Sequence, residues 1–170
     1  NFLNSGKVQV YRLIDGEWTQ VGQDLIGAAI EDRSGWSVSL SNDGNTLAIG
    51  AWGNDNGNGD NAGHVRVYHL VGSENSLSWI QVGDDIYGAN AGDNAGASVS
   101  LSFDGTEVAV GSDYNSDNGL YSGHVRLFGF LDDTDATLSP SKSPTASPSK
   151  QPTVSCCAKI FFHFLIYSRS

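Results

Sequence analysis

The sequence predicts an all-β fold built from a repeated unit, and three observations carry that prediction. The composition is poor in helix signals. Met is absent and 21 of 170 residues are Gly, while Val, Ile, Thr, Trp and Tyr fall in short runs broken by Gly, Asn and Asp, the pattern of short strands and tight turns. The stretch SGWSVSLSNDGNTLAIGA (Ser34–Ala51) returns as AGASVSLSFDGTEVAVGS (Ala95–Ser112). A second unit occurs three times, as SGKVQVYRL (Ser5–Leu13), AGHVRVYHL (Ala62–Leu70) and SGHVRLFGF (Ser122–Phe130), and a third twice, as EWTQVGQDLIGA (Glu17–Ala28) and SWIQVGDDIYGA (Ser78–Ala89). The period of about 60 residues accommodates four strands and their loops, one blade of a β-propeller. The expected architecture is a partial β-propeller of about two four-stranded blades over residues 1–131. A Ser/Thr/Pro-rich linker (132–155) and a short apolar tail (156–170) follow, both expected to be disordered.

Each strand is read from its alternation. In Ser37–Ser41, Val38 and Leu40 face one way and the serines the other, a period of two. Asp43-Gly44 is a hairpin turn, because Gly accepts positive φ at little cost, and Leu47–Ala51 returns as the second strand. His64–Leu70 is the third, with Val65 and Val67 opposite His64, Arg66 and Tyr68, and Trp79–Gly83 the fourth. The second copy supplies Ser98–Ser102, Val108–Gly111 and His124–Phe130. One such sheet cannot bury both faces. An inward Val, Leu or Ile gains about 1.5–3 kcal/mol only when a neighbour covers it, so each copy of the repeat is expected to be the packing partner of the other, with the serine face allowing close approach. The blades fall short of the 4–8 of a closed propeller, which leads to the expectation of a fragment packing against other blades of a longer chain or against itself.

These residues resemble the FG-GAP repeat, the blade unit of propellers of the integrin alpha-subunit N-terminal type. Gly35-Trp36 stands near that family's opening aromatic-Gly signature and Gly50-Ala51-Trp52 near its closing Gly-Ala-Pro. The second copy has Gly96-Ala97 and Gly111-Ser112-Asp113 instead. The resemblance spans Ser5 to Phe130 and implies a non-catalytic, extracellular or cell-surface module for protein–protein or cell–matrix adhesion, using its loop face. The alternative expectation is a fragment of a lactonase- or quinoprotein-like propeller enzyme whose catalytic residues lie on other blades. Family members often carry a Ca²⁺ loop, D-x-D-x-D-G-x-x-D. Here the connection is only Asn42-Asp43-Gly44-Asn45 or Phe103-Asp104-Gly105-Thr106, and one carboxylate cannot supply the 6–8 oxygens Ca²⁺ takes. No cofactor and no metal site are therefore expected.

The net charge of −10 argues against a nucleic-acid partner, whose phosphates need a basic surface. In a four-strand meander the 2–3 and 4–1 connections emerge together. They collect Asp24, Glu31, Asp32, Asp55, Asp60, Asp84, Asp85, Asp93, Asp113 and Asp117 against a single base, Arg33. Long loops on a rigid scaffold are where binding residues sit, although Asp, Asn and Gly are also what solvated turns use. The candidate ligand-binding residues are Asp55, Asp60, Asp113 and Asp117 with Trp36 and Trp52, the two tryptophans without a counterpart in the other copy. Trp18, Trp79, His64 and His124 recur with the repeat and are expected to pack blades. NDNGNGDN (Asn54–Asn61) and DYNSDNG (Asp113–Gly119) echo Ca²⁺ spacing without the acids to complete it. No catalytic constellation is visible.

The chain lacks an initiator Met and a basic-then-apolar leader, and its first residues already lie inside a repeat, as expected of a fragment. Thr137–Ser155 cannot build a core and reads as an extended stalk. Ile160–Tyr167 is far short of the roughly 20 residues of a membrane-spanning helix, and three origins stay open for it: a truncated membrane anchor, an aggregation-prone end, or out-of-frame translation. Cys156 and Cys157 are adjacent and define no disulfide framework.

Overall fold

The computed structural model describes residues 3–73 and 76–130, and the backbone of 164–169. Among these residues every regular element is a strand, and no helix is long and apolar enough to cross a membrane. The strands are β1 (Lys7–Ile14), β2 (Glu17–Gln20), β3 (Leu25–Ile26), β4 (Ser37–Leu40), β5 (Thr46–Ala51), β6 (His64–Ser73), β7 (Ser76–Gln81), β8 (Ile86–Tyr87), β9 (Ala95–Leu101), β10 (Glu107–Ser112), β11 (His124–Gly129) and β12 (Phe164–Arg169). They form three antiparallel sheets: β12-β1-β2 with β3 also on β1, β4-β5-β6-β7 with β8 also on β6, and β9-β10-β11. The middle sheet is the expected four-stranded blade with a short fifth strand. The circle is not closed among the described residues.

The repeat is repeated in register. β4 pairs β5 as Val38↔Ile49 and Leu40↔Leu47, and β9 pairs β10 as Val99↔Val110 and Leu101↔Val108. Each hairpin is clamped by its own side chains. Ser41 and Ser102 donate from Oγ to Asp43 and Asp104 at 2.6 and 2.7 Å, and the same hydroxyls accept the N–H groups of Thr46 and Glu107. Hydrogen bonds from Ser102 and Thr106 hold the Asp104 carboxyl at about 2. The S-x-D-G pattern is thus a closed hydrogen-bonded turn, with Gly44 and Gly105 at positive φ.

Packing between sheets builds two cores. Val8 and Val10 of the first sheet meet Leu47, Ile49 and Trp79 of the second. Ala48, Val65 and Val67 on the opposite face of the second sheet meet Ala95, Val108 and Val110 of the third. The serine face makes the close contact foreseen for it. Ser37 Oγ donates to the Gly96 carbonyl at 2.7 Å, and the Leu101 N–H donates to Ser39 Oγ at 2.9 Å.

Backbone joins the sheets as well. The N–H groups of Gly27, Glu31, Arg33 and Ser34 donate to the carbonyls of Gly6, Leu3, Asn4 and Ser5. One repeat later those of Gly88, Gly92, Asn94 and Ala95 donate to Gly63, Asp60, Asn61 and Ala62. This seam requires Gly63. Its φ is +76°, and a Cβ there would collide with the Ala95 backbone. Gly6, at φ +81°, stands in the same way against Ser34.

Three features differ from the sequence reading. The two-residue strands β3 and β8 were hidden in loops, since two residues carry no periodicity. Trp18, expected to pack a blade as Trp79 does, is 46% exposed while Trp79 is 2% exposed. Trp79 reaches the first sheet, where its Nε1–H donates to the Val21 carbonyl at 2.9 Å, and Trp18 projects from the side of the first sheet that no other sheet covers among the described residues. The tail, expected to be disordered, supplies β12, which pairs with β1 from Lys7↔Arg169 to Arg12↔Phe164. It lies along the edge of β1 that corresponds to the edge of β6 covered by β5. An open strand edge of unpaired N–H and C=O groups is satisfied by any extended segment that reaches it. The linker, and the cysteines at 156 and 157, lie outside the described residues.

The seam makes a graded prediction. Gly83 also has positive φ (+67°), but a Cβ there meets nothing within 4 Å. Gly83→Ala should cost about 1–2 kcal/mol, the strain of the left-handed conformation alone. Gly63→Ala should cost more than about 3 kcal/mol, because backbone must also move. Urea denaturation of the two variants measures the difference.

Candidate functional site

The loops between β5 and β6, β8 and β9, and β10 and β11 meet beside the start of β4. There the structure brings together Trp36, Trp52 and Asp113 in one cleft of about 540 Å³, lined also by Asn61, Gly92, Asn94, Ala97 and Tyr114. Trp36 and Trp52 meet edge to face at 5.7 Å, and the Arg33 guanidinium lies 4.3 Å from the centre of the Trp52 ring. That cation–π contact and the ring pair fix Trp52. Trp36 remains 55% exposed and Tyr114 50%, so aromatic faces are open to the cleft. Trp52 Nε1 is buried and meets no acceptor among the described residues. Tyr114 is braced by Tyr121 at 4.9 Å.

The other candidates lie apart from this cleft. Asp55 is exposed and caps its own loop by accepting the Asn61 N–H at 2.7 Å. Asp60 is exposed and contributes its backbone carbonyl to the seam. Asp117 is exposed, and its N–H donates to Asn115 Oδ1. The expected cluster of loop acids against one base also resolves differently. Lys7 reaches Asp24 at 3.2 Å, and Arg66 grips Asp85 through two bonds of 2.8 and 2.7 Å. These bases sit at the starts of β1 and β6, which rise at the same end as the loops, so strand residues neutralise loop carboxylates.

Asp32 and Asp93 are buried structural residues that the loop reading placed on a binding face. Asp32 accepts the Ala29 N–H and Asn54 Nδ2–H, both at 2.8 Å. Asp93 accepts the Asn90 N–H at 3.0 Å and Asn115 Nδ2–H at 3.2 Å. The Asp–Asn separation is 22 residues in both repeats, and that recurrence was the signal in the sequence. Within Asp113–Gly119, Asn115 is fully buried and donates to Asp93. Among the described residues no three His, Cys, Asp or Glu side chains converge as a metal site. His64 is buried against Tyr87, edge to face at 6.3 Å. Burial, then the Arg66 charge, keeps its imidazole below the ordinary range.

Three stacked antiparallel sheets, joined by the same seam one repeat apart and displaying their loops at one end, define a β-propeller-like repeat module. Residues 27–68, from the seam donors through β4 and β5 into β6, match the family model of the FG-GAP repeat. A search of curated proteins finds none that matches the chain.

The Arg66–Asp85 pair is mostly buried, its side chains 23% and 13% exposed. Burial alone would raise the Asp85 carboxyl, but the hydrogen bonds from Arg66 and Gln81 outweigh it and hold the group below its ordinary value. A carboxyl lowered by folding stabilises fully above its unfolded value near 4, and that contribution fades as pH falls through the folded value. Asp85→Asn should therefore lose about 1–3 kcal/mol at pH 7 and show a smaller stability difference between pH 7 and pH 3 than the parent. Urea melts at the two pH values test this.

Proposed function

We propose that this repeat module is a non-catalytic binding or adhesion module of the extracellular space or cell surface, which holds a protein or matrix ligand at its loop face through the cleft of Trp36, Trp52 and Asp113. The observation that supports this reading is the convergence of those three residues. Trp36 and Trp52 come from the two ends of the β4–β5 hairpin and Asp113 from the next repeat, so the cleft exists only because two repeats pack. Open aromatic faces offer large contact area at small entropic cost, and aromatic anchors dominate binding energy at protein interfaces. The Asp113 carboxylate, within a chain of net charge −10, favours a ligand that brings a cation or a set of hydroxyl donors.

The reading is tested by retention of the chain on surfaces coated with extracellular-matrix proteins. Trp36→Ala and Asp113→Asn should each weaken retention at least tenfold, about 1.4 kcal/mol. Asp104→Asn, which alters only a distant hairpin turn, should not. Retention unchanged by both cleft variants would refute the loop-face site.

A further inference from the structure

The outer face of the third sheet is the third copy of a surface that is occupied twice elsewhere in the molecule. In the first sheet, Leu3 to Gly6 present their carbonyls to the segment ending at Ser34. In the second, Asp60 to Gly63 present theirs to the segment ending at Ala95. The third copy is Leu120 to Gly123. Its backbone keeps the receiving shape: Tyr121 has φ +53°, as Asn61 and Asn4 have +50° and +51°, and Gly123 has φ +66°. For a tyrosine this left-handed conformation is costly and rarely adopted. Yet among the described residues no backbone N–H meets the carbonyls of 120–123.

The side chains show the same vacancy. Val65 and Val67 are 0% and 2% exposed, whereas their counterparts Val125 and Leu127 are 69% and 71% exposed. Ser98 corresponds to Ser37, whose hydroxyl holds the Gly96 carbonyl of the next repeat. Ser98 itself is exposed beside an open groove of about 450 Å³, lined by Gly111, Ser112, Gly123, His124 and Val125. Ser112 is 1% exposed, and its hydroxyl has no partner among the described residues.

We propose that this groove is a docking site for a repeat segment carried by another polypeptide. The segment is a loop ending in a small residue and Gly, followed by a Ser-x-Ser strand, as in residues 27–39 and 88–101 of this chain. The argument is continuity with an interface already made twice. Four backbone N–H donors at the same spacing would fill the carbonyls of 120–123. The Gly would pass where a side chain cannot, as Gly96 passes the His64 carbonyl and Ala51. The strand would cover Val125 and Leu127. Recognition rests on backbone hydrogen bonds and on the absence of side chains, as in other strand-addition interfaces.

The test uses the whole chain and a synthetic peptide of residues 88–101, followed by amide chemical shifts. Saturable shifts are expected at Gly111, Ser112, Gly123 and Val125. The same peptide carrying Gly96→Val should bind at least tenfold more weakly. Ser98→Arg in the chain, an exposed change that blocks the groove without touching a core, should weaken binding by a similar factor. No shifts at millimolar peptide, or shifts that Ser98→Arg leaves unchanged, would overturn the proposal.

Discussion

The structure depends on backbone approaching backbone between successive repeats. Four N–H groups of one repeat reach four carbonyls of the repeat before it, and the pattern recurs with the period of the sequence. Hydrogen bonds of this kind are modest individually, about 1 kcal/mol net each, but leaving their buried groups unpaired costs more. Their geometry therefore dictates sequence. Positive φ is needed at Asn4 and Asn61, glycine at positions 6 and 63, and small residues at Ser34 and Ala95. Once these close the gap, Val8 and Val10 fall against Leu47 and Ile49, and Val65 and Val67 against Val108 and Val110.

The candidate cleft is a consequence of the same contact. Trp36 follows directly on the Ser34-Gly35 segment that enters the seam, and Trp52 follows β5, whose last residues pack on Gly96. Asp113 stands at the position of Trp52 one repeat later. A surface that repeats imperfectly thus places aromatic groups on one side of a junction and a carboxylate on the other. The perfectly repeated acids, Asp32 with Asp93 and Asp24 with Asp85, hold loops in place. Recurrence marks the structural residues here, whereas Trp36, Trp52 and Asp113 of the cleft stand at positions where the copies diverge.

Much of this was legible in the sequence. Alternation located the long strands, because each has one face against a neighbouring sheet. The Asp-Gly turns fixed the hairpins, and the serine face announced close packing. What escaped has physical reasons. Asp32 and Asp93 looked like loop acids because nothing local reveals that a carboxylate points inward to collect a backbone N–H and an Asn amide 22 residues away. Lys7 and Arg66 were assigned to strands, and their reach to loop carboxylates depends on where those strands begin. Trp18 and Trp79 are equivalent in sequence but not in environment, since burial of each depends on whether a sheet lies on its outer side. The tail offered no repeat signal. It pairs with β1 through main-chain groups, which any extended sequence supplies.

The central claim is that the seam welds the repeats into one cooperative unit, and native-state amide hydrogen exchange tests it most directly. The amides of Ser34, Ala95 and Leu101 bond across sheets, while those of Leu47 and Ile49 lie within one sheet. If the seam unites the sheets, the crossing amides should exchange only through global unfolding, with the same opening free energy as Leu47 and Ile49. Crossing amides that exchange at least a hundredfold faster than Leu47 and Ile49 would mean that the sheets open independently, and the account would be wrong.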